Sequence, residues 1–141
     1  MPRYFTLQEL LASSVAKAEG ISNFPSFEIV DHLKELAEFL DGLREAWGSG
    51  IRVSSGFRNK LLNEKVGGVA NSVHRLGWAC DMVPVNGKFE EFKKFVADWI
   101  KDKAFDELIV EKNSKGDKWL HLQLFSPKGF QRRKIFSLEV K

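Results

Sequence analysis

Apolar side chains recur every three to four residues at Ile29, Leu33, Leu36, Leu40, Leu43 and Trp47. That period winds them onto one stripe of an α-helix. Asp31, Lys34, Glu35, Glu38, Asp41 and Glu45 take the wet face, and Gly48-Ser49-Gly50 ends the helix. Upstream, "TLQELLASSVAKAEG" predicts another helix. Thr6 is its N-cap with Glu9 three residues on, and Gly20 stops it. The loop between the two, "ISNFPSF", is stiffened by Pro25.

From Ile51 the period shifts towards two. "IRVSSGF" predicts a short strand that runs into a Ser-Gly turn. "RNKLLNEKVGGVANSVHRLG" predicts a short helix followed by an irregular loop, where Gly67 and Gly68 permit unusual dihedrals. "WACDMVPV" predicts a second strand, with Pro84 marking an edge or a strand end. "GKFEEFKKFVADWIKD" sets Phe89, Phe92, Phe95, Val96, Trp99 and Ile100 on one side, as in a helix that covers a sheet. "DELIVE" and "KWLHLQLF", joined by the polar "KNSKGD", predict a β-hairpin. Helices early and antiparallel strands later make the expected class α+β. The 141 residues are expected to form one domain over 1–141.

Composition narrows the classes. Hydrophobic residues make up 43% and charged residues 29%, as in a globular chain rather than a disordered one. No apolar run approaches the length of about 18 residues that a membrane span needs. The start, "MPRYFTLQELL", lacks the basic-then-apolar layout of a secretory signal, so synthesis in the cytoplasm is expected and the final location is left open. The net charge of +3 is mild and its signs are interspersed. "KGFQRRKIFSLEVK" is the most basic stretch, too little for the basic face that nucleic-acid binding wants. A lone cysteine, Cys80, excludes an internal disulfide and a Cys-rich zinc knuckle, so any metal would be held by His, Asp and Glu.

The chain has three histidines. His32 lies beside the apolar stripe of its helix, a structural position with nothing nearby to complete a metal site. His74 and Asp81 stand seven residues apart in "SVHRLGWACD", separated by a bend and a strand start. In "WLHLQL", strand alternation sends Trp119, His121 and Gln123 to one face and Leu120, Leu122 and Leu124 to the buried one. Two imidazoles and a carboxylate can hold zinc with a fourth position open, chemistry suited to amide hydrolysis. Ordinary packing or a salt bridge would explain the same spacing.

The full set of motifs is more specific. "SSGFRN", Asn63, Val66-Gly67-Gly68, Ser72-x-His74-x-x-Gly77-x-Ala79-x-Asp81 and Trp119-x-His121, in that order, resemble the zinc D-Ala-D-Ala carboxypeptidase family. That family also holds L-alanyl-D-glutamate endolysins of phages and vancomycin-resistance dipeptidases. The resemblance runs from about Phe5 to about Phe125 and includes "FTLQELLAS". It implies a Hedgehog/DD-peptidase-like fold, a small antiparallel sheet with packed helices. It also implies Zn2+ held by His74, Asp81 and His121, and Arg58 binding a substrate carboxylate or polarising the scissile carbonyl. A surface salt bridge is the plainer reading of Arg58.

One position departs from the family. A carboxylate that acts as general base stands three residues before the last histidine in some members, and Lys118 stands there in this chain. Two substitutes are available. Glu111 ends "DELIVE" and resembles the glutamate of an Ile-x-Glu segment in relatives; paired near Trp119, it would share a face with His121. Asp117 lies in the connection, four residues before His121, and would be the alternative base or a solvated turn residue. Cys80, next to Asp81 in an alternating strand, should face inwards as a small hydrophobe. Ser72 would hydrogen-bond around the metal or cap the loop. Trp119 would line a substrate groove with Trp78, or both would pack.

The resemblance implies a zinc peptidase that acts on peptidoglycan stem peptides, as a D-Ala-D-Ala carboxypeptidase or an L-Ala-D-Glu endopeptidase. The alternative is a non-catalytic, zinc-containing cell-wall-binding or phage structural module of the same fold. Nothing in the sequence selects an oligomeric state.

Overall fold

The structure, a computed structural model, describes residues 4–69 and 72–140. The long helix α3 spans Phe27–Trp47, and its Leu33, Leu36, Leu40 and Leu43 are fully buried, as the stripe predicts. Ser26 caps it by accepting the Ile29 N–H, and Gly48 closes it in the left-handed region. Helix α5, Phe89–Trp99, packs Phe92 and Val96 into the same core, with the Trp47 ring against Phe92 and Phe95.

The first predicted helix is in fact two, α1 at Leu7–Leu11 and α2 at Ser14–Glu19. Thr6 and Gly20 cap the ends as expected, but Ala12 is extended and the Ser13 hydroxyl starts a new helix by accepting the Ala16 N–H. A serine at that point competes with continuation of the helix. The carbonyls exposed at the break find partners. The Phe57 N–H donates to Leu10 O at 2.7 Å, and Asn23 Nδ2 donates to both Leu11 O and Phe57 O.

This close docking leaves no room at Gly56, where a Cβ would lie 2.3 Å from Leu10 O. Backbone opposes backbone there, so a side chain must push α1 away. Gly56→Ala is expected to destabilise the fold by about 1–3 kcal/mol, seen as a lower urea midpoint with an unchanged slope.

Among the described residues the sheet has five strands, in the order β1-β2-β4-β3-β5. They are β1 Ile51–Ser55, β2 Ala79–Pro84, β3 Glu107–Lys112, β4 Lys118–Gln123 and β5 Lys134–Glu139. The short helix α4, Lys60–Lys65, follows β1, and β2 ends at Pro84 as anticipated. Strands β1 to β4 pair antiparallel. The basic tail supplies an addition that the pattern does not predict, because β5 runs parallel to β3 and makes the sheet mixed.

The two faces of the sheet divide the chemistry. Cys80, Met82, Leu108, Leu120 and Leu122 point towards α3 and α5 and join the core. Burial pushes the Cys80 thiol up, so it stays protonated and inert in the folded chain. Asp81, Glu111, Trp119, His121 and Gln123 alternate onto the other face, over an open cleft. Among the described residues, no helix is long and apolar enough to cross a membrane.

Candidate metal centre

His74 is delivered by a 3-10 turn, Val73–Leu76. Ser72 caps that turn by accepting the His74 N–H at 3.2 Å, and it also accepts from Arg58 Nη2 at 3.3 Å. Gly77 then reverses the chain at φ 77°, where a Cβ would meet Ile29 Cγ2 at 3.1 Å and Ile29 O at 3.2 Å. Left-handed backbone and a tight approach to α3 together demand glycine here. Ala79 is fully buried and starts β2, and two residues later Asp81 emerges on the cleft face. The spacing from Ser72 to Asp81 is thus a cap, a donor, a turn, a core contact and a second donor.

Asp81 lies directly opposite His121 across the β2–β4 pairing. His121 Nδ1 is 3.0 Å from Asp81 Oδ1, and His74 Nε2 is 3.5 Å from the same oxygen. One donor atom from each of His74, Asp81 and His121 lies within 4.8 Å of the other two. Tetrahedral zinc with bonds of about 2.0–2.1 Å sets its ligand atoms roughly 3.3–3.5 Å apart. The donors are therefore spaced to take such an ion with small adjustment.

The far nitrogens agree. His74 Nδ1–H donates to Gly56 O at 2.7 Å, and His121 Nε2–H donates to Gln123 Oε1 at 2.7 Å. Each ring thus turns its other nitrogen towards Asp81, as metal-ligating histidines do. Nitrogen and oxygen donors of this kind suit zinc.

Electrostatics reflect the crowding. Burial would raise Asp81, but His74 and His121 outweigh it and hold the carboxyl far below the usual range. Burial lowers His74, despite Asp81 beside it. For His121, burial is outweighed by the hydrogen bond and charge of Asp81, and its pKa rises.

Above this cluster the cleft has a volume of about 740 Å3. Arg58, Ser72, Glu111 and Trp119 line it with the three donors. Glu111 pairs with Trp119 across the hairpin, and its Oε1 accepts the indole N–H at 2.6 Å. Among the described residues the Glu111 carboxylate accepts no other side-chain hydrogen bond, and the residue lines the cleft. Burial, aided by the charge of Asp81, raises the Glu111 carboxyl above its ordinary value. Arg58 is partly buried, and its Nε has no partner among the described residues.

Other candidates fall elsewhere. Asp117 is exposed in the β3–β4 turn, accepts from Asn113 Nδ2 at 3.2 Å, and is not part of the cleft lining. Trp78 packs against Phe125 and under the His32 ring, with His32 Nδ1–H donating to Leu76 O at 2.7 Å. Asn63 is buried and holds the loop by donating to Val69 O at 2.7 Å. Alternation had placed Gln123 on the cleft face without a role, yet it is the partner of His121.

No curated protein matches the chain. A family model described as Peptidase M15 matches residues 3–123 of the 141. The matched stretch contains every motif from the Ser-Gly turn to Trp119-x-His121, and this chain belongs to the M15 peptidase family.

Proposed function

We propose that this protein is a zinc-dependent peptidase that hydrolyses a peptide bond in the stem peptides of bacterial peptidoglycan. The observation that carries the proposal is the convergence of His74, Asp81 and His121 at the base of a cleft walled by the Glu111 carboxylate. Family membership supports the reaction class and the substrate class.

His74 Nε2, an Asp81 oxygen and His121 Nδ1 would hold the ion. When bound, zinc supplies Lewis acidity, lowering the pKa of water towards neutrality and polarising a carbonyl. Glu111 Oε2 takes a proton from the attacking water as its oxygen adds to the scissile carbonyl carbon. The same carboxyl returns that proton to the amine nitrogen as the C–N bond breaks. The Trp119 indole keeps Oε1 occupied and the carboxylate aimed. Arg58, which lines the cleft, would meet the developing oxyanion or a substrate carboxylate with its guanidinium, in a setting where Ser72 fixes one arm of the fork.

Zinc-loaded protein incubated with purified peptidoglycan tests this, with products identified by mass spectrometry. Free D-Ala would mark the carboxypeptidase, and new D-Glu amino termini the endopeptidase. Zinc binding with no bond cleaved would sink the proposal and favour the non-catalytic wall-binding module instead.

A further inference from the structure

Beside His121, along the same wall of the cleft, lies a chain of polar groups that includes Gln123 and Arg132. Gln123 is 4% exposed and Asp106 is 0% exposed. Gln123 Nε2 donates to Asp106 Oδ2 at 2.6 Å, and Gln123 Oε1 accepts from His121 Nε2 at 2.7 Å. Arg132 grips the same carboxylate as a fork, Nε to Oδ1 at 2.8 Å and Nη2 to Oδ2 at 2.9 Å, and its backbone N–H adds a bond to Oδ1 at 3.0 Å. Burial alone would raise Asp106, but these bonds from Arg132 and Gln123 hold its pKa below the ordinary value.

An ionised carboxylate only accepts hydrogen bonds. The Gln123 atom nearest Asp106 must therefore be its NH2, and the amide cannot turn over without aiming Oε1 at a buried anion. Gln123 then offers His121 only an acceptor, which requires a proton on Nε2. We infer that Asp106, clamped by Arg132 and acting through Gln123, is the positioning residue that holds the His121 ring with Nδ1 turned to the metal position. The inference rests on the zinc site proposed above, and assigns its support to a buried carboxylate that is not itself part of the cleft lining.

Arg132 lies beyond residue 123, where the family match ends. It precedes β5, whose first residue, Lys134, donates its N–H to Asp106 O at 2.9 Å. The C-terminal segment of this chain thus anchors Asp106 twice, Arg132 at the carboxylate and Lys134 at the main-chain carbonyl. Arg132 Nη2 also reaches Glu107 Oε2 at 3.3 Å, so a second carboxylate helps to hold the fork in place.

The test uses the 141-residue chain and two variants, Asp106→Asn and Gln123→Met. The first keeps shape but frees the Gln123 amide to turn, and the second keeps length but removes the acceptor. Zinc affinity is measured by competition with a chromophoric chelator. In parallel, 15N-labelled protein reports the His121 Nε2–H, with and without zinc. The wild type is expected to show a protected, downfield Nε2–H in both states. Both variants are expected to lose that protection and to bind zinc about 10–100-fold more weakly. The His74 Nδ1–H, held by Gly56 O, should persist and report an intact site. Unchanged zinc affinity in both variants, or an Nε2–H that stays protected in both, overturns the inference. Should Asp106→Asn fail to fold, Gln123→Met decides alone. A wild type that binds no zinc would sink the metal reading instead, and the metal-free Nε2–H would still uphold or overturn the orienting role of Asp106.

Discussion

Glu111→Gln is expected to lower the rate of peptidoglycan hydrolysis by about 10²–10⁴-fold, with zinc affinity close to that of the wild type. Three features make this the sharpest substitution for activity. Glutamine keeps the volume and can still accept the Trp119 indole N–H, so the cleft wall survives. Glu111 is not one of the three clustered donors, so the metal position is untouched. What disappears is a carboxylate whose proton affinity is raised by burial beside Asp81, which makes it a better acceptor than an exposed glutamate. Activity and chelator competition measured on the same preparation check it. Undiminished hydrolysis would remove Glu111 from the mechanism.

Asp81→Asn is expected to abolish tight zinc binding, a loss larger than the ~10–100-fold that a supporting partner costs. Asp81 faces both imidazoles and is the negative charge between them. An amide matches its shape and supplies no charge to a divalent ion. The variant should also change acid stability without metal. The Asp81 pKa is depressed on folding, so its stabilising effect is present above the unfolded value of about 3.9 and is lost as pH falls towards the lower folded one. The Asn variant should be less stable at neutral pH and should lack that part of the acid transition. Isothermal titration with zinc and denaturation at several pH values read both effects.

The parts of this molecule that local pattern determines were legible in the sequence. The leucine stripe of α3 and the aromatic face of α5 follow from period alone, because each helix buries one side against one core. Alternation placed His121 and Gln123 opposite Leu120 and Leu122, and the hairpin does pair Glu111 with Trp119, the condition on which Glu111 shares a face with His121. The split between α1 and α2 was hidden, because the break depends on carbonyls that meet Asn23 and Phe57 only in the folded chain. Strand β5 was hidden for a different reason. All six of its residues are exposed, so burial imposes no strong alternation, and its partner β3 is far back in the sequence. The Asp106–Arg132 pair bridges 26 positions and carries no local signature. Gln123 could be placed on its face by counting, but its orientation follows only once Asp106 stands behind it.

The turn that carries His74 has no slack on its outer side. Gly77 abuts Ile29, and the neighbouring Leu76 carbonyl and Trp78 ring are both engaged by His32. A pull on the imidazole from within the cleft is thus passed straight to the first turns of α3. Loading the site should slow amide exchange there, so that the opening half of this long helix reports occupancy at a distance.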